Sequence, residues 1–142
     1  MIRPPDDPSL VTDLPSLIGP IDGVTSLSDR AATVLHRLAE RLGLAAPGER
    51  AAQTAHDKAA LRQRTNQSPE PLPWVRAVSP SDLDRLVEVY EGPVILKPIG
   101  GSGSLGVWFA ETSAEARARV ERVASLSRSG AAIVEAASTA SG

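Results

Sequence analysis

The chain is expected to adopt an α/β (α+β) fold, and three observations lead there. From Pro73 onward, short apolar runs rich in β-branched residues alternate with helical stretches that carry capping signals. A glycine-rich loop at 100–106 has a strand-like run on each side, "PVILKP" before it and "GVWFAE" after it. Apolar residues make up 42% of the 142 residues but aromatic ones only 3%, so the core must rest on Leu, Val, Ile and Ala.

The elements follow in order. Residues 1–20 hold five of the twelve prolines and read as an extended arm, because proline fixes φ and removes a donor. Residues 21–65 read as a helical segment. Within it Ser28 can cap a helix in which Ala31, Val34, Leu35, Leu38 and Leu42 recur at helical spacing, and Gly43 can stop it. "ERAAQTAHDKAALRQRT" at 49–65 continues the helical pattern, with Asp57 as a candidate cap. Three prolines at 69–73 break it, and residues 66–142 read as a separate unit. Trp74–Val78 alternates as a short strand. Ser79, Pro80 and Asp82 then form a helix-start signal, with Leu83, Leu86, Val87 and Tyr90 as the buried face. "PVILKP" and "GVWFAE" are the strands around the loop. Thr112 and Glu115 open a helix that buries Ala116, Val120, Val123 and Leu126, and "AAIVEA" is a last strand. The order from Pro73 is strand, helix, strand, glycine loop, strand, helix, strand.

Composition narrows the function. Net charge is −2 and no basic stripe is present, which argues against nucleic acid. No apolar run approaches the ~20 residues of a membrane span, and "MIRPPDDPSL" does not read as a signal peptide. The absence of cysteine excludes disulfides, thiolate metal sites and thiol nucleophiles, and it fits a cytoplasmic protein. His36 and His56 lack partners at useful spacing and read as surface or edge residues.

Gly101-Ser102-Gly103-Ser104-Leu105-Gly106 matches G-x-G-x-x-G. A dinucleotide fold would need a helix starting inside the motif, but "VWFA" is β-like. A Walker loop would end in G-K-[ST], which is absent. A kinase flap would place its lysine on the strand after the loop. Here Lys97 lies before it, and "ETSAEARARV" contains no lysine. What remains is a strand–loop–strand flap whose amides and hydroxyls could cover phosphates, with Lys97 at its mouth. From spacing alone, an exposed lysine beside a flexible hairpin turn remains an open alternative.

Three segments together resemble the ATP-grasp superfamily of carboxylate–amine ligases over about residues 21–142. "HDKAALRQRTNQSPEPLPWVRAVS" looks like its Asp-Lys-x-x-x-Arg helix leading into a proline-marked strand. "GPVILKPIGGSGSLGV" looks like its lysine-bearing strand and flap, and "AAIVEA" like the strand that ends at the adenine hinge. The resemblance implies that Lys58 and Lys97 contact the phosphates of ATP and that Gly101, Ser102, Gly103, Ser104 and Gly106 cover them. It implies that Val107 presses on the base, that Glu135 opens the hinge, and that Ala136 reads the adenine edge. It gives Trp74 no role. The implied chemistry is activation of a carboxylate as an acylphosphate, followed by attack of an amine or similar nucleophile, with Mg²⁺ bridging phosphates.

The family's magnesium ligands and ribose-holding acid come from strands beyond the hinge and have no counterpart in this sequence. The chain is therefore expected to be a partial domain, completed by a missing C-terminal half or by a second chain. Alone it should bind ATP weakly, self-associate and show no turnover. A noncatalytic nucleotide-binding or interaction module derived from such a protein is the alternative.

Overall fold

The computed structural model describes residues 3–67, 69–101 and 103–137. The chain divides into two units, Met1–His56 and Asp57–Gly142.

The first unit is helical. Helix α1 (Leu10–Ile18) forms where the prolines suggest an extended arm. Leu10, Leu14, Leu17 and Ile18 recur at helical spacing, and the helix forms with Pro15 inside it although proline there removes a donor and crowds the preceding turn. A 3₁₀ turn at Asp29–Ala31 leads into α2 (Ala32–Arg41), so the cap position falls on Ala31, and Ser28 serves the turn with its backbone carbonyl, which accepts from the Ala31 N–H. Gly43 stops it at φ 69°. The Gly43 N–H donates to Glu40 O, and the Leu44 N–H to Ala39 O, which is a Schellman ending. His36 is buried, 6% exposed, and not the surface residue its surroundings in sequence suggest. The expected long helix at 49–65 is two helices. The first, α3 (Glu49–His56), is tied to α2 by the Arg37–Glu49 ion pair.

The second unit is a four-stranded antiparallel sheet with helices on both faces. It opens with α4 (Lys58–Thr65). Asp57 is extended and its Oδ1 accepts from the Ala60 N–H at 2.9 Å, which breaks the helical run and caps α4. Then come β1 (Trp74–Ala77), a 3₁₀ turn at Pro80–Leu83 continuing into α5 (Asp84–Val87), β2 (Val94–Pro98), β3 (Trp108–Ala110), α6 (Ser113–Ala124) and β4 (Ala132–Ala136). The Asp82 carboxylate accepts from the Val78 and Ser79 N–H groups, both at 2.8 Å. Those bonds hold its carboxyl below the ordinary Asp range. Thr112 Oγ1 accepts from the Glu115 N–H, while Glu115 reaches back to the N–H of Glu111.

The strand order is β1-β4-β2-β3. One face carries Ala77, Val94, Leu96, Ala110, Ala132 and Val134. They pack with Leu83, Leu86, Ala116, Val120, Val123 and Ala124 into an aliphatic core, as the composition requires. Leu126, expected inside, is 51% exposed because α6 ends at Ala124. The other face carries Ile133, which clusters with Ala59 of α4, Ile99, Ala131 and Trp74. β4 is buried along its whole length because both of its faces are covered.

Leu96 has no exposed surface and sits in β2 between β4 and β3. Leu96→Ala should therefore lower unfolding stability by about 2–5 kcal/mol, measurable by urea denaturation. A loss under 1 kcal/mol would contradict the core described.

Candidate functional site

The charged residues lie on the sheet face covered by α4, all within the second unit. Antiparallel register puts Trp74 opposite Glu135, Ile95 opposite Glu135, and Lys97 opposite Ile133. Directly paired residues share a face, so Trp74, Glu135, Ile95 and Lys97 all look away from the aliphatic core. Glu135 is 4% exposed. Its Oε1 accepts from Lys97 Nζ in a short ion pair. Its Oε2 accepts from Arg62 Nη2 at 2.6 Å and Arg62 Nε at 3.0 Å.

Lys58 arrives from the other direction. Asp57 caps its helix, and its own N–H donates to Ile99 O at 3.2 Å, just past the end of β2. From there Nζ donates to Gly101 O at 3.0 Å, at the entry to the glycine loop. Burial pushes the Lys58 ammonium below the ordinary lysine range, and the charge of Lys97 pushes the same way, against the opposing pull of Asp57. A site that crowds two ammonium groups in this way favours an anion.

The loop has the backbone such a site needs. Gly101, Gly103 and Gly106 have φ of 127°, 69° and 76°, and Ser104 joins them at 57°. At Gly106 an added Cβ would lie 2.6 Å from Leu126 Cδ1 and 3.0 Å from Pro98 Cγ, so the outgoing arm of the loop is packed as well as bent. A cavity of about 350 Å³ is lined by Lys58, Lys97, Pro98, Gly101, Gly103, Ser104, Leu105 and Val107. A neighbouring one of about 180 Å³ shares both lysines and continues to Arg62, Ile133 and Glu135.

Of the expected site residues, Lys58, Lys97, Gly101, Gly103, Ser104 and Val107 line the larger cavity, and Glu135 lines the smaller one with the same two lysines; Gly106 is packed against Pro98 and Leu126. Ser102 lies outside the described residues. Ala136 is buried, and its N–H donates to Pro73 O at 2.9 Å. It does not enter the cleft, and its N–H is committed elsewhere. Arg62, which the motif reading gives no role, also enters the site. Its position four residues after Lys58, one helical turn on, is the signal that places both on the same side of α4.

Among the described residues no group of three or more His, Asp or Glu gathers to hold a metal. The carboxylate in the cleft already has both oxygens occupied by cations.

Glu135 should govern part of the acid stability. Burial alone would raise its carboxyl, but the hydrogen bonds and charges of Lys97 and Arg62 outweigh burial and hold it below its ordinary value of 4.5. The stabilisation it contributes is fully present above that ordinary value and is lost as pH falls through the lower folded-state value. Denaturant unfolding from pH 7 down to 3 should show wild type losing more stability than Glu135→Gln. Parallel curves would remove Glu135 as the cause.

No protein-family model matches the chain, and no curated protein matches it. Solved structures do. L-amino acid ligase from Bacillus licheniformis superposes with a TM-score of 0.66 at 20% identity, over 92% of this chain and 29% of that one. Phosphoribosylglycinamide synthetase from Anaerococcus prevotii gives 0.62 at 18% identity, over 97% of this chain and 34% of that one. Both are ATP-grasp carboxylate–amine ligases. At these identities the likeness is one of fold, and this chain spans roughly a third of either neighbour's length. The polypeptide has the fold of part of an ATP-grasp ligase.

Proposed function

We propose that the second unit binds ATP as the nucleotide-holding portion of an ATP-grasp ligase. The observation that carries this reading is the convergence of Lys58 and Lys97 on the cavity beneath the Gly101–Val107 loop. Two ammonium groups and a loop of left-handed backbone suit a polyphosphate, whose charge they offset and whose oxygens the loop amides can reach. In this reading Gly101, Ser102, Gly103, Ser104 and Gly106 cover the phosphates, and Val107, 42% exposed, presses on the base. The adenine hinge follows Glu135, with Ala136 contributing through its carbonyl, since its N–H is taken.

The chemistry that goes with the fold is transfer of the γ-phosphoryl group to a carboxylate oxygen with release of ADP. An amine or similar nucleophile then attacks the acyl carbon, and phosphate leaves. Positioned positive charge from Lys58 and Lys97 would stabilise the transferring group without proton transfer. We assign no step to magnesium in this chain, because its described residues offer no ligand set. The partners are ATP, a small carboxylic acid and an amine, with the remaining parts of the cleft supplied by further polypeptide. A cytoplasmic setting, where ATP is plentiful, belongs to the same proposal and agrees with a cysteine-free sequence. No described helix is long and apolar enough to cross a membrane.

Calorimetric titration of ATP into the full chain tests the reading. Lys97→Ala should weaken binding by about tenfold or more, the size of a lost charge-assisted hydrogen bond. Equal affinity in both proteins would overturn it. ADP formation dependent on a carboxylate and an amine would select the ligase over a noncatalytic binding module.

A further inference from the structure

Arg62 stands outside the glycine loop, yet it is the second partner of the carboxylate that holds Lys97. Two of its nitrogens land on Glu135 Oε2, while Lys97 takes Oε1. The Glu135 side chain is 5% exposed, whereas those of Arg62 and Lys97 are 29% and 27% exposed. The carboxylate therefore cannot exchange its cations for water, but each cation keeps a wet side. A Lys97–Glu135 pair on its own would be electrically neutral. An anion approaching Lys97 would then compete with a buried carboxylate that had no other counter-ion, and leaving that carboxylate unpaired is costly.

We propose that Arg62 is a positioning residue for nucleotide binding that acts through Glu135: as the carboxylate's second counter-ion, it leaves the charge of Lys97 available to a phosphate. The proposal rests on the ATP-binding reading above. The three groups together keep one unit of positive charge, and Lys58 adds another at the same cleft. Arg62 is suited to the part. A guanidinium does not lose its proton, and its fork can place two donors on one oxygen. Its helix is fixed at the start by the Asp57 cap and by the Lys58 N–H bond to Ile99 O. It lines the same cavity as Lys58, Lys97 and Glu135. Glu135 thereby becomes a part of the phosphate site that never touches phosphate.

The experiment is ATP titration by calorimetry at one fixed salt concentration, with folding of each protein checked by circular dichroism. The proteins are wild type, Lys97→Ala, Arg62→Gln, Arg62→Lys and the double variant Arg62→Gln/Glu135→Gln. Arg62→Gln should bind about tenfold more weakly. Arg62→Lys, which keeps the charge, should recover much of the loss. The double variant, which removes the unbalanced carboxylate along with the arginine, should return close to wild type. A merely structural arginine would not be rescued by the second substitution. Wild-type affinity in Arg62→Gln, or a double variant as weak as the single one, would overturn the proposal while leaving the ATP reading intact. If Arg62→Gln does not fold, the double variant decides alone: affinity near wild type supports the proposal and weak binding overturns it. Absence of ATP binding in wild type, or full binding in Lys97→Ala, would remove the underlying reading and this inference with it.

Discussion

A buried carboxylate held between two cations organises the second unit. Glu135 lies on the most enclosed strand of the sheet, where an unpaired charge would be untenable. Its two partners come from elements far apart in sequence. Lys97 is supplied by the neighbouring strand and Arg62 by the helix above. The same contact therefore ties α4 to the sheet and holds Lys97 beside the loop. The apolar cluster of Ala59, Ile99, Ala131 and Ile133 alongside it supplies the burial that holds the helix there.

The loop depends on that arrangement at its entry and on packing at its exit. Lys58 reaches the Gly101 carbonyl from the first turn of α4, whose start Asp57 caps. At the far end Gly106 is wedged beside Pro98 and Leu126. The half-exposed position of Leu126 is part of this: it leaves the core and instead covers the turn. Trp108 is steadied from the other side by the Arg119 guanidinium, 3.7 Å from its ring centre. The flap is thus held at both ends and open along its middle.

Much of the second unit was legible in the sequence. Local signals were strong there: Asp82 and Glu115 each bond backbone N–H groups at the helix starts where the pattern put them, and the short apolar run "PVILKP" marked β2 around Lys97. Lys58, Lys97 and the glycines could be grouped because the motif is largely contiguous and the resemblance supplied the missing distance to Lys58. Asp57 stood out as a candidate cap and does cap α4, although the helical pattern of 49–65 runs through it without a visible break. Two things were not legible. The helix at Leu10–Ile18 forms with Pro15 inside it, although proline there removes a donor and crowds the preceding turn, so the cluster of prolines pointed to the wrong local structure. Arg62 and Glu135 are separated by 73 positions, and their contact exists only after the sheet and α4 have met.

The register of β2 against β4 carries one more implication. Leu96 faces Val134 in the aliphatic layer, and Lys97 faces Ile133 on the charged side. Sliding either strand by a single residue would turn Lys97 or Glu135 into a layer built wholly of alkyl groups and strip it of its counter-ions. The ion pair thus forbids misaligned pairing of the two central strands, and the same two side chains that serve the cleft act as an alignment pin while the sheet assembles.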